Sequence, residues 1–321
     1  MVFLILLLTI ALASPIAAQA PAGTISAALI PAPLWPRDGD TSRLPKGQYV
    51  FYDPPAGEYV VYYSPDSGNT TSTQPTVLRF GTHALVAPNV MSKVSPTGDG
   101  TFHYTYDISN GAHARQSIQK VRLVTFSDSS PKASRLNWTA NVTQHNERDL
   151  ATPTTGGAVI DWTSNNATLS VAPGSTTEGF AVDSKSLPGF INMTFQGSSQ
   201  SSQYSSDVVA SLPKEVRDQL ARVFNTAWDM KSSMVIGPRF AKGTSQSIIT
   251  QNYFFGLQML VLHRELDRNS PFVQRAWQLL NDQLQSQDQT HLTAANLDFI
   301  SEAKPGLETV IANALEIALA Q

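Results

Sequence analysis

The side chains able to do acid–base or metal chemistry in this chain are few and scattered. Its six histidines stand at positions 83, 103, 113, 145, 263 and 291. Helical zinc hydrolases place two His four residues apart with a Glu between them, so that both rings reach one ion from one helix face. The nearest approach is His263-Arg264-Glu265-Leu266-Asp267, which lacks the second His. At i,i+4 spacing His263 and Asp267 are expected to pair on a helix surface rather than hold a metal. His103 and His113 flank an Asn110-Gly111 turn and are placed to meet across a hairpin. His83, His145 and His291 stand alone, and single imidazoles do not fill a coordination sphere. No metal and no cofactor are expected.

Nucleophile chemistry finds little support. An activated Ser must project from a tight Gly-x-Ser-x-Gly elbow, and the chain contains none. Ser129-Ser130-Pro131-Lys132 and Ser211-Leu212-Pro213-Lys214 match Ser-x-x-Lys, but Ser is abundant here, and the second match is better explained as a helix cap. Gly237-Pro238-Arg239-Phe240-Ala241-Lys242-Gly243-Thr244-Ser245 suggests a phosphate loop, yet such a loop needs Gly-Lys-Ser/Thr in that order. Here Lys242 precedes Gly243, and the stretch reads as an interhelical loop. Arg239 and Lys242 remain a compact cationic pair near a helix start, able to meet an anionic group on a partner. A second binding candidate is the aromatic run Tyr49, Tyr52, Tyr59, Tyr62 and Tyr63. Alternation puts Tyr59 and Tyr63 on one sheet face and Tyr62 on the other. One set serves the core; the other, with Tyr52 and Tyr62, is the candidate platform for sugar or protein contact.

Composition narrows the classes further. There is no Cys, which excludes thiol catalysis, Cys-ligated zinc and iron–sulfur clusters. Charged residues are only 15% and the net charge is −3. No Lys/Arg patch offers a nucleic-acid footprint. Asn-x-Ser/Thr sequons occur at Asn69, Asn137, Asn141, Asn166 and Asn192, as chance allows in a chain rich in Asn and Thr.

The elements that must position these residues follow from periodicity. Val2 to Ala13 is apolar apart from Thr9, and Ser14-Pro15 and the small residues Ala17, Ala18 and Ala20 follow. An apolar run of about 7–15 residues before small residues is the anatomy of a signal peptide. A membrane span needs roughly 20 apolar residues, and Pro15 cuts this run short. Residues 1–20 therefore read as a signal peptide, cut after Ala20 or, because Pro21 disfavours that site, after Ala18. An uncleaved anchor is the alternative, since the n-region lacks Lys and Arg. Residues 21–47 form a Pro/Ala-rich lead-in.

From 48 to 196 short alternating runs read as strands. Gln48–Tyr52 and Glu58–Tyr63 flank a Pro/Gly turn as a hairpin. Further runs cover 76–80, 101–108, 117–123, 136–142, 158–162, 167–171 and 189–195. Their spacing points to an antiparallel sandwich. Residues 197–207, all small or polar apart from Tyr204, read as a Ser/Gln linker. From 208 to 321 the period becomes 3.6, with helical faces Val216/Leu220/Val223/Phe224/Ala227/Trp228, Ile249/Tyr253/Leu257/Leu260/Val261/Arg264 and Val273/Ala276/Trp277/Leu280/Leu284. Asn269-Ser270-Pro271 caps one helix, Leu297 and Ile300 mark a short one, and Pro305-Gly306 opens the last.

The stretch 101–195 resembles the immunoglobulin- or fibronectin-like domains of secreted bacterial envelope proteins. The resemblance rests on Tyr104-x-Tyr106-x-x-x-Asn110, Gln116-x-Ile118, Trp162, Val171-Ala172-Pro173-Gly174-Ser175, Phe180, Ser184 and Leu187-Pro188-Gly189. It implies a strand after Pro173-Gly174 and a turn back into the last strand at Leu187-Pro188-Gly189. It bears on architecture and says almost nothing about activity.

The expected fold is thus α+β and modular: an antiparallel immunoglobulin-like β-sandwich followed by an α-helical domain. The expected function is that of a non-enzymatic binding or assembly component of the cell envelope or extracellular space. It would be secreted or periplasmic and without a membrane span after signal cleavage, and an envelope polysaccharide or another surface protein would be its partner. The alternative is a secreted hydrolase with a site between the two parts, drawing on groups such as His103, His113, Asp161 or Glu265.

Overall fold

The computed structural model describes residues 49–53, 56–63, 76–125, 129–132, 138–145, 157–198, 206–223, 230–285 and 294–319. The expected signal peptide, the lead-in, His291, and the sequons at Asn69 and Asn137 lie outside them, as do Phe224, Ala227 and Trp228.

The first aromatic runs form the expected hairpin, extended by one strand. β1 (Val50–Asp53), β2 (Glu58–Tyr63) and β3 (Thr76–Gly81) make an antiparallel sheet in the order β1-β2-β3. Gly57 turns the hairpin at a φ of 66°, donating to the Asp53 carbonyl at 2.7 Å. Val50, Tyr59, Val61 and Phe80 share a face and pack on Leu212, Val216 and Leu220. Those residues come from α2 (Lys214–Val223) and the link to it from α1 (Ser206–Ser211). Ser211 closes α1 instead of capping α2. The Pro213 carbonyl accepts the first α2 bond, from Arg217 N at 2.9 Å.

The next strands build two larger antiparallel sheets. β4 (Pro88–Pro96), β5 (Phe102–Asn110), β10 (Thr176–Ser184) and β7 (Ser129–Lys132) form one, in the order β4-β5-β10-β7. The other is β12-β11-β6-β9-β8, from β12 (Lys231–Phe240), β11 (Leu187–Gly197), β6 (Ile118–Thr125), β9 (Gly157–Ser164) and β8 (Trp138–His145). β5 alternates strictly, with Phe102, Tyr104, Tyr106 and Ile108 buried. Rings meet across the gap between the sheets: Trp138 and Trp162 sit edge-on to Phe180 at 5.0 and 5.7 Å, and Tyr106 lies 6.5 Å from Trp162. The strand implied after Pro173-Gly174 is β10.

The expected strand at 167–171 is instead a 3-10 turn, Ala167–Leu169, followed by a single bridge from Val171 to Ile118. The Asn166 side chain takes the Thr168 N–H and hydroxyl, both at 2.9 Å. A side chain that captures a backbone donor in this way competes with a ladder. Ser129-Ser130-Pro131-Lys132 is the edge strand β7, where Pro131 costs no ladder bond on its open side.

The largest correction concerns residues 208–321. They are not wholly helical: 231–240, partly read as interhelical loop, is the strand β12, paired along β11 from Leu187↔Phe240 to Phe195↔Lys231. Met234-Val235-Ile236 suits a strand. The helices that follow are α3 (Gln246–Leu262), α4 (Pro271–Gln285) and α5 (Leu307–Leu319), with a 3-10 segment at Ala294–Glu302. They share one hydrophobic cluster with the sheets, running from Trp162 and Phe195 through Phe190 and Tyr253 to Ala276 and Leu315.

The join is made at β11. Its pairing with β6 covers only Met193 to Gly197. At Phe190, where β6 has ended, the Asn252 side chain of α3 takes the place of a strand neighbour. Asn252 Oδ1 accepts from Phe190 N at 2.7 Å, and Nδ2 donates to Phe190 O at 3.0 Å. Tyr253 Oη donates to the Pro188 carbonyl at 3.0 Å, and its ring packs edge-on to Phe190 at 5.5 Å. Gly256 lets the helix come this close, because a Cβ there would lie 2.0 Å from Phe190 Cδ2.

Two outcomes follow. Gly256→Ala improves helix propensity by about 1 kcal/mol but overpacks Phe190 at a cost of about 1–3 kcal/mol, so urea denaturation is expected to show net destabilisation. A chain ended at residue 207 strips β12 and α3 from β11, and its circular dichroism is expected to show no cooperative melt. A cooperative transition in that fragment would mean that the two larger sheets pack together without β12.

Candidate functional site

The acid–base candidates do not converge. His103 points across to β10, its Nδ1 2.6 Å from Asp183 Oδ1. His113 is exposed in the turn after β5, beside Gly111, so the two histidines do not meet across the hairpin. Ser95, His103 and Asp183 are register neighbours on three adjacent strands. Among the described residues, however, Ser95 makes no hydrogen bond to His103. The expected His263–Asp267 pair is broken by the helix end. α3 stops at Leu262 and Arg264 turns the chain at a φ of 62°, so His263 Nδ1 faces Glu265 Oε1 at 3.8 Å. Burial pushes the Glu265 carboxyl up. Asp267 instead accepts from Asn269 N at 2.9 Å. No group of three or more His, Cys, Asp or Glu able to hold a metal occurs among the described residues.

Asp161 lies on the outer face of the β12-to-β8 sheet, while His103 lies on the outer face of the other sheet. Arg122 clasps Asp161 with two bonds, Nε at 2.7 Å and Nη2 at 3.0 Å, and Lys120 Nζ adds a contact at 3.2 Å. Burial alone would raise the Asp161 carboxyl. Its two cationic neighbours outweigh that and hold it below the ordinary carboxylate value. Lys93 and Asp107 pair likewise across β4 and β5 at 3.1 Å. These ionised groups are engaged in joining strands.

The binding candidates separate too. Arg239 is half-buried near the end of β12, against the position where Gly189 lacks a side chain, and burial pulls its guanidinium below its usual value. Lys242 is exposed on the turn into α3, where Thr244 bonds back to the Ala241 carbonyl. Tyr62 is buried, edge-on to Phe51 at 5.8 Å. Tyr52 is half-buried beside Tyr59 at 5.1 Å, on the sheet face that receives α2. Tyr52 and Tyr62 thus lie on opposite faces and form no common platform.

The surface that stands out is one the periodicity reading passed over. α3 buries Ile249, Thr250, Tyr253, Gly256, Leu257 and Leu260 against the sheets and α4. Its opposite face exposes Ile248 (54%), Phe255 (52%), Met259 (37%) and Leu262 (71%). Spaced by seven, four and three, these residues fall within an arc of about 60° at 100° per residue. None of the residues Gln246–Leu262 is charged. A helix apolar all round is ordinarily buried all round. The signal was present in the sequence as a long uncharged segment, but one inward face had already accounted for the helix.

Comparison with protein-family models and with curated proteins finds no match to this chain. No helix among the described residues is long and apolar enough to cross a membrane.

The Arg122–Asp161 clasp predicts a pH signature. Because the folded carboxyl titrates below its unfolded value of about 3.9, its stabilisation is complete above that value and disappears as pH falls through the folded pKa. Asp161→Asn is expected to cost about 1 kcal/mol at neutral pH for this partly exposed pair. Denaturation of the two chains is expected to converge once the pH has fallen through the lowered pKa of the folded carboxyl.

Proposed function

We propose that this protein is an exported, non-enzymatic binding or assembly component of the cell envelope or extracellular space, with the outer face of α3 as its contact surface. The observation that carries this reading is the uncharged stripe Ile248, Phe255, Met259 and Leu262 on a helix whose other face already anchors the fold. Exposed apolar stripes of this kind mark association sites. The ion pairs that span the outer sheet faces favour a scaffold over a catalyst. The N-terminal apolar run ending in small residues supports export.

The architecture supports the same reading. Immunoglobulin-type sandwiches set strands A, B, E and D against G, F and C. We infer that β4-β5-β10-β7 and β12-β11-β6 are those two sheets, with β9 and β8 added beyond the third strand of the second. This extends the sandwich past the Ser/Gln stretch to β12. A secreted hydrolase is the second reading, and only the His103–Asp183 contact favours it.

The test is expression of the full chain in a bacterial host, followed by fractionation and mass spectrometry. The expected protein is recovered outside the cytoplasm, shortened to begin at residue 19 or 21, and sediments with envelope material. Phe255→Asp with Leu262→Asp releases it from that fraction, whereas Arg122→Ala leaves it bound. Retention in the cytoplasm at full length would overturn export. Hydrolysis of model esters or glycosides that is lost in His103→Ala would favour the enzyme.

A further inference from the structure

The geometry points to the partner of the α3 stripe: we propose that it is α3 of a second copy of this chain, the two helices crossing antiparallel about a two-fold axis near Phe255. The inference rests on the reading of α3 as the contact surface and names what covers it.

Three observations favour a second copy. The first is the spacing. Ile248, Phe255, Met259 and Leu262 follow the seven, four, three pattern of a coiled-coil seam, and such a seam is complementary to itself. Phe255 lies midway between Ile248 and Leu262, so an antiparallel crossing there sets Phe255 against Phe255 and each Ile248 against the other copy's Leu262.

The second is charge. In an antiparallel two-fold seam a charge at the axis meets its own copy, and a charge elsewhere on the seam is buried against an apolar side chain. α3 has none over its whole length. Along this stretch of sequence, charges begin only beyond the ends of the helix. An antiparallel crossing brings Lys242, on the turn into α3, toward the turn after it, where Glu265 and Asp267 are matched by Arg264 and Arg268. A parallel crossing would stack Lys242 on Lys242. The antiparallel arrangement also opposes the two helix dipoles.

The third is area. The exposed parts of the four side chains amount to roughly 400 Å² per copy, within the range of functional patches. Two such patches, widened by the exposed Ser247 and Gln251 beside them, approach the roughly 1,200–2,000 Å² total of a stable interface.

The experiment is sedimentation velocity on the purified full chain. A dimer is expected, with a dissociation constant in the micromolar range. Phe255→Asp with Leu262→Asp is expected to weaken it by roughly 100-fold or more, since the carboxylates at 255 would be buried against each other and each one at 262 against the apolar Ile248. Circular dichroism should be unchanged, because both side chains lie off the packed face. Cysteine substitution adds a test that does not depend on those variants folding, because the chain has no Cys of its own. Oxidised Phe255→Cys is expected to form a disulfide-linked dimer and Leu262→Cys none. A chain that stays monomeric up to about 100 µM overturns the proposal, as does a dimer indifferent to the Asp pair or linked through Cys at 262 but not at 255. A monomer whose envelope association still depends on the stripe removes the second copy and leaves the contact surface standing.

Discussion

Residues 187–191 of β11 are buried on both faces, whereas the rest of the strand alternates between core and surface. One facing sheet can cover only one side of a strand. Whatever folds here must therefore bring a second layer to the outer side of Phe190, and that requirement organises the C-terminal third of the chain. β12 supplies the ladder on one edge, Asn252 satisfies the Phe190 backbone on the other, and α3 closes over the top with Tyr253 and Gly256 in contact. An unpaired backbone amide in that setting would cost about 1–3 kcal/mol, so the Asn252 bonds are as much a condition of the junction as the apolar packing.

This constraint explains what the sequence made legible. β5 and α4 could be read from periodicity alone, since each buries one face against one neighbour. The doubly buried part of β11 could be read only as an apolar run, and nothing local says that its second partner lies beyond a Ser/Gln stretch. β12 was missed for a related reason. Gly237 and Pro238 look like loop residues, yet both are buried, and Gly237 is small because Ile191 and the Tyr106 hydroxyl fill the space where a Cβ would stand. Close packing, not turn geometry, accounts for that glycine. The candidate site fared less well. Arg239, Tyr52 and Tyr62 are residue types that bind ligands, but their positions serve packing at least as much, and residue type carries no information about which face of a strand is covered.

The outer faces of the two sheets show how polar chemistry is used in this fold. Arg122, Lys120 and Asp161 link β6 and β9, Lys93 and Asp107 link β4 and β5, and His103 and Asp183 link β5 and β10. Each is a cross-strand pair of the kind that contributes a few tenths to about 1 kcal/mol to a sheet. Asn110 does comparable work inside. Its Nδ2 donates to the Gln116 and Val171 carbonyls at 2.8 and 3.0 Å, while its Oδ1 accepts from Ala87 N at 2.9 Å. Gln116 in turn donates to the Thr82 carbonyl and accepts from Leu85 N, pinning the chain as it enters β4. Asn110, Gln116 and Val171 thus tie together the ends of strands and the loops that join the two larger sheets.

α3 is where the demands of folding stop explaining the sequence. Its packed face needs Tyr253, Leu257 and Leu260 for the core, Asn252 for the β11 edge and Gly256 for close approach. Nothing in that list requires Phe255 or Leu262 on the other side to be apolar. A soluble helix in this position would be expected to carry Glu, Lys or Gln there, which raise helix propensity as well as solubility. Residues more than half exposed add little to folding, because little of their surface leaves water. They do, however, expose apolar area that a neighbouring molecule can remove from solvent. The cost of keeping that stripe uncharged falls on solubility, and it is recovered only when a second surface closes over it. Folding therefore accounts for one face of α3, and the proposed association supplies a reason for the other.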